Sequence, residues 1–86
     1  NRNDITTIIL GMNNLGNYLS EKGDYEEAEK NLVRSLELLT LDNDKDWEDI
    51  VAVNKELAKA LTALGREEEA QKRLERIKTI EETIAA

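Results

Sequence analysis

A glycine corner that occurs twice constrains this chain more than any other feature. Gly23-Asp24-Tyr25-Glu26-Glu27-Ala28-Glu29-Lys30 is echoed by Gly65-Arg66-Glu67-Glu68-Glu69-Ala70-Gln71-Lys72, 42 positions later. A period of that size is the mark of stacked supersecondary units. Each copy lies between two stretches whose apolar residues fall at helical spacing. Glycine at such a junction supplies the left-handed conformation that closes a helix. The acidic residues that follow suit the positive end of the next helix. The corner therefore marks a tight helix–helix turn, used twice.

Reading outward from the corners gives four helices. Ile5, Ile8, Ile9, Met12, Leu15, Gly16 and Leu19 share one face of the first, with Asn3 or Asp4 as its expected cap. Asp24 and Glu27 have the spacing of a capping box for the second helix, whose stripe is Tyr25, Ala28, Leu32, Leu36 and Leu39, fading near Thr40. Asp42-Asn43-Asp44-Lys45-Asp46 reads as a polar linker, and Asp46 with Asp49 as the cap of the third helix. That helix carries Ile50, Val53, Leu57, Leu61 and Leu64, with Ala58 and Ala60 between them; the fourth carries Ala70, Leu74, Ile77, Ile80 and Ile84. The expected fold is all-α: two antiparallel helical hairpins in one domain over residues 1–86, with repeat 1 at about 3–41, the linker at about 42–46 and repeat 2 at about 47–85.

The halves align at the same offset of 42: Leu15 with Leu57, Leu19 with Leu61, Ala28 with Ala70, Leu32 with Leu74 and Arg34 with Arg76. The matching positions are mostly apolar, small or turn-forming, as two related hairpins require. Gly16 with Ala28, and Ala58 with Ala70, are expected to let the helices of each hairpin approach closely.

Composition narrows the function. The 86 residues include no cysteine, histidine or proline, and only Trp47, Tyr18 and Tyr25 are aromatic. Disulfides, thiolate metal sites and the usual general base are thereby removed. A formal net charge of −7 argues against nucleic acid and against anionic lipid, both of which need a basic face. No apolar run approaches the roughly 20 residues that span a bilayer. A cytoplasmic setting is the default expectation. With no initiator Met and so small a domain, the chain is expected to be a segment of a longer protein.

The pattern resembles the tetratricopeptide repeat. Leu15-Gly16, Leu19, Gly23, Tyr25, Ala28, Leu32, Ser35 and Leu36 follow that family's signature, and Leu57-Ala58, Leu61, Gly65, Ala70 and Leu74 repeat it. The second copy departs at Glu67, where an aromatic is usual, and at Ile77, where a small residue is usual. Such departures are expected of the end of an array. Neither copy ends in the family's proline. The family's common period is about 34 residues; the 42-residue spacing and Asn13-Asn14-Leu15-Gly16 are similar to the longer variant of kinesin light chains and many bacterial repeat proteins. The resemblance implies a short right-handed superhelix acting as a non-catalytic scaffold for protein–protein interaction.

Site expectations follow from both lines. Asn13 and Asn17 share a face of the first helix, and Lys55 and Lys59 hold the equivalent positions on the third. The resemblance places these positions on a concave groove; Asn14 and Asn54 adjoin the row. Asn amides pair with extended peptide backbone and Lys pairs with carboxylate, so the expected partner is a protein or peptide, with an acidic stretch or a C-terminal carboxylate. The alternative is a structural element that self-associates as a homodimer through its repeat ends, Ile5, Ile8 and Ile9 at one and Ile77, Ile80 and Ile84 at the other. Trp47 is expected to fold back on the preceding hairpin rather than stand out as an interface anchor. Asp42, Asn43, Asp44 and Asp46 open like a calcium loop, but Trp47 and Val53 stand where that loop needs Gly and a bidentate Glu. The clusters Glu26-Glu27-Glu29 and Glu67-Glu68-Glu69 sit in first turns, where helix dipole and solubility explain them. No metal, cofactor or catalytic centre is expected.

Overall fold

The computed structural model describes residues 2–41 and 47–85, and of residues 2–7 and 9 the backbone alone. The acidic linker and the Asp46 cap lie outside the described residues. Four helices follow in order: α1 (Arg2–Glu21), α2 (Tyr25–Leu41), α3 (Trp47–Ala63) and α4 (Glu67–Ala85). No strand occurs among the described residues. Helix α1 begins at Arg2, ahead of the cap expected at Asn3 or Asp4; acidic and amide residues also suit a first helical turn.

Both corners have one geometry. Gly23 has φ 86° and Gly65 φ 79°. The Gly23 N–H donates to the Ser20 carbonyl at 3.1 Å and the Asp24 N–H to the Leu19 carbonyl at 2.8 Å. At the second corner Gly65 donates to Thr62 at 3.0 Å and Arg66 to Leu61 at 2.8 Å. These paired bonds are the Schellman closure, which satisfies carbonyls that a helix end otherwise strands. The capping box expected at Asp24 and Glu27 does not close: Glu27 turns to Lys30, 3.2 Å away, since an opposite charge three residues on lies on the same face.

Helix α2 packs against both α1 and α3, and α3 against α2 and α4. The two central helices thus carry most of the core: Leu32, Leu39, Ile50, Val53, Leu57, Ala58 and Leu61, joined by Ala70 and Ile80 of α4. Ser35 is also buried there, and its hydroxyl has no partner. Small residues set the spacing inside a hairpin. A Cβ built on Gly16 would stand 2.8 Å from Leu32 Cγ and Cδ2, and Ala28 is fully buried beside it. Ala58 and Ala70 are buried at the equivalent places in the second hairpin.

The hairpins are also tied at their corners. Arg66 donates Nη2–H to Glu69 Oε1 at 2.8 Å within its own turn, and reaches Glu29 of α2 with Nη1. The hydrogen bond from Arg66 holds the Glu69 carboxyl below its ordinary value of 4.5.

Trp47 corrects one expectation. It lines a small cleft with Arg76, Thr79, Ile80, Thr83 and Ile84 of α4 and stays 40% exposed, so its neighbours there belong to its own hairpin. Position 47 lies seven residues before Asn54, whose oxygen meets Arg73, on the side of α3 that faces α4. Ile77 and Ile80 are a second correction, because both are buried and offer nothing to another chain. Ile84 and Ile8 are exposed.

Candidate functional site: a cleft between the first helices of the two hairpins

The slab formed by the four helices measures 33 × 31 × 16 Å. On one side of it, α1 and α3 open a cleft of about 690 Å³. Asn13 and Asn17 of α1 line it, as do Lys55 and Lys59 of α3. Four residues nominated by repeat register and by the family resemblance therefore line one cleft. Their common placement has a simple cause: positions 13 and 17, and their register equivalents 55 and 59, share the face of each first helix that flanks the packed stripe of Gly16 and of Ala58.

Asn14 and Asn54 are different. Asn14 is exposed and is not among the residues lining this cleft. Asn54 is a correction: it is buried in the core, where its amide donates to the Ile50 carbonyl at 2.9 Å and its oxygen accepts from Arg73 Nη1 at 3.4 Å. The repeat register contained the signal. Position 54 aligns with Met12, a stripe position, and not with Asn13.

Residues outside the expected row complete the cleft. Ala52, Ala58 and Ala63 of α3 and Leu74 of α4 form its apolar part, and Glu56 and Thr62 adjoin them. Alanines leave no signature in a search for polar contact residues, so only the geometry reveals them. The same face continues as a second hollow of about 380 Å³, lined by Asn17, Ser20, Glu21, Tyr25, Glu56, Lys59 and Ala63.

Electrostatically the cleft is mixed. Lys59 Nζ lies 3.3 Å from Glu56 Oε1, and Lys55 Nζ 4.0 Å from Glu81 Oε1. Both lysines are well exposed, so neither contact locks its ammonium, and exposed pairs of this kind are worth at most about 1 kcal/mol. On α1, Asn17 Oδ1 and Ser20 Oγ are buried atoms without a hydrogen-bond partner; Asn17 lines the cleft and Ser20 the second hollow. A buried polar atom left unpaired costs roughly 1–3 kcal/mol, so these two oxygens are a local cost of packing α1. The cleft can thus offer ammonium groups on the α3 side and the amides of Asn13 and Asn17 on the α1 side, over an apolar floor. Among the described residues no group of three or more carboxylates could hold a metal ion, and no helix is long and apolar enough to cross a membrane.

No curated protein and no solved structure matches the chain. The tetratricopeptide repeat family model matches residues 7–80, which takes in most of α1, both glycine corners and the core of α4. With four helices in two hairpins, a corner repeated at 42 residues and that match, the chain belongs to the tetratricopeptide repeat family, whose members generally mediate protein–protein interaction.

Proposed function

We propose that the chain is a non-catalytic recruitment module that holds an extended peptide segment of a protein partner in the α1–α3 cleft, with a free carboxylate seated at Lys55 and Lys59. The observation that carries this reading is the convergence of Asn13, Asn17, Lys55 and Lys59 on one cleft with an alanine and leucine floor. Each group has a role. The ammonium groups attract the carboxylate, and their carboxylate neighbours at 3.3 and 4.0 Å are weak enough to be displaced. The amides of Asn13 and Asn17 pair with successive peptide units. The floor of Ala52, Ala58, Ala63 and Leu74 takes one apolar side chain. The charge of −7 over the whole chain opposes a long acidic peptide, so a single terminal carboxylate fits better than an acidic run.

The test is a peptide library with free C-termini, its hits resynthesised as C-terminal amides and measured by fluorescence anisotropy. Free acids should bind and amides should bind at least about tenfold more weakly, the loss of one charge-assisted contact. Lys55→Glu with Lys59→Glu should abolish binding and leave helicity intact. Equal affinity of acids and amides, or binding that survives the double reversal, refutes this reading.

A further inference from the structure

The end of the second hairpin remote from its glycine corner carries an inference independent of the α1–α3 cleft. The chain reverses at Gly65, so the first residue of α3 comes to lie beside the last turns of α4. There Trp47 and, from α4, Arg76, Thr79, Ile80, Thr83 and Ile84 enclose a hollow of about 120 Å³. The five α4 residues recur at the spacing of a single helical face. Ile80 is buried, while Trp47 and Ile84 stay 40 and 56% exposed. The hollow therefore has an apolar base and an open mouth.

Its polar chemistry comes down to a single charged group. Thr79 Oγ1 donates to the Glu75 carbonyl at 3.1 Å, and Thr83 Oγ1 to the Thr79 carbonyl at 2.9 Å. Both hydroxyl protons are spent inside α4, which leaves the guanidinium of Arg76 as the charge in the lining. Arg66 is held by Glu69 and Glu29, and Arg73 meets Asn54. Arg76 is exposed and has no such partner among the described residues. It also sits in a cationic stretch of an acidic chain, because Lys72, Arg73, Arg76 and Lys78 fall close together on α4 with Glu75 the one acid among them. The repeat does not dictate this arrangement. In the register of the first hairpin, Glu37, Leu41 and Asp42 stand at the places of Thr79, Thr83 and Ile84, which would set carboxylates beside the aligned Arg34.

We infer that the Trp47–Ile84 hollow is a binding site for a small monoanionic acid with an aromatic tail. The tail enters between the indole and Ile80, and the carboxylate pairs with Arg76. A space of about 120 Å³ suits a single ring, since a cavity of about 150 Å³ admits benzene. The indole offers an offset stacking surface to that ring. The guanidinium fork matches a carboxylate in shape as well as charge. One unpaired cation balances one negative charge, and the net charge of −7 opposes a more highly charged anion.

Trp47 is the single tryptophan of the chain, so its emission reports the hollow without a label. Phenylacetate added to the 86-residue chain should change that emission saturably, with half-saturation on the order of 1 mM, as befits so few atoms. Phenylacetamide keeps the ring without the charge and should bind about fivefold more weakly, the worth of an exposed ion pair. Acetate has the charge without the ring and should leave the emission unchanged. Arg76→Gln should retain native helicity, because Arg76 is exposed, and should erase the advantage of the acid over the amide. In methyl-labelled protein, phenylacetate should shift the signals of Ile80 and Ile84. A response that rises linearly without saturating overturns the inference, as does equal half-saturation for acid and amide. So do shifts confined to Ala52, Ala58 and Leu74, which would send the acid to the α1–α3 cleft.

Discussion

Two glycines of α1 show how the same residue answers opposite demands. Gly16 faces Leu32, and a Cβ there would stand 2.8 Å from two of its side-chain carbons. Leu32 is fully buried under α3 and cannot move aside. Ala58 fills the equivalent place in the second hairpin because its neighbour Leu74 is exposed and free to shift. Gly16→Ala should therefore destabilise by about 1–3 kcal/mol through overpacking, despite the better helix propensity of alanine. Gly11 has open space above it, so Gly11→Ala should stabilise the 86-residue chain by about 0.5–1 kcal/mol. Urea midpoints of the two variants decide both at once; the same sign for both would contradict the packing described. A polar residue teaches the converse. Asn54 has the look of a contact residue by type, but its place in the register is that of Met12, and the structure spends it on Ile50 and Arg73 inside the core.

At the scale of the element, the helices and corners were legible because their signals are local. A stripe at helical spacing and a glycine with positive φ need no knowledge of the rest of the fold. Gly23→Ala or Gly65→Ala should cost about 1–2 kcal/mol, the penalty of a Cβ in the left-handed region, seen as a lower thermal midpoint with native helicity. What stayed hidden depends on partners distant in the sequence: the lean of Trp47 on α4, the clamp from Arg66 to Glu29, and the preference of Glu27 for Lys30 over a capping box. The Arg66–Glu69 pair has a pH signature. Glu69 is held below 4.5 in the folded chain by its hydrogen bond from Arg66, so the stabilisation is complete above that value and is lost as pH falls through the folded one. The stability difference between the wild-type chain and Arg66→Ala should be present at pH 7, shrink towards pH 3, and weaken in high salt. A difference that grows on acidification would place the role of Arg66 elsewhere.

For the whole molecule, a thickness of 16 Å means that most helices have one face bare, and the use of each bare face follows from its chemistry. The α1–α3 side holds amides, ammonium groups and alanines around a cleft; the outer side of α1 is apolar; that of α4 carries charge. The resemblance that the sequence carried for fold and family holds over the matched residues 7–80, and four of the six groove residues it nominated meet at the cleft, Asn13, Asn17, Lys55 and Lys59. The cleft's alanine floor had no sequence signal, because it becomes a site only when two helices 42 residues apart are set side by side. The most direct measurement of the recruitment reading is a titration of the isotopically labelled chain with a free-acid peptide from the library, followed by amide and side-chain chemical shifts. The account predicts that the largest changes fall on the side-chain amides of Asn13 and Asn17 and on the backbone of 52–63; changes confined to the opposite groove, at Val33, Leu36 and Lys72, would contradict it.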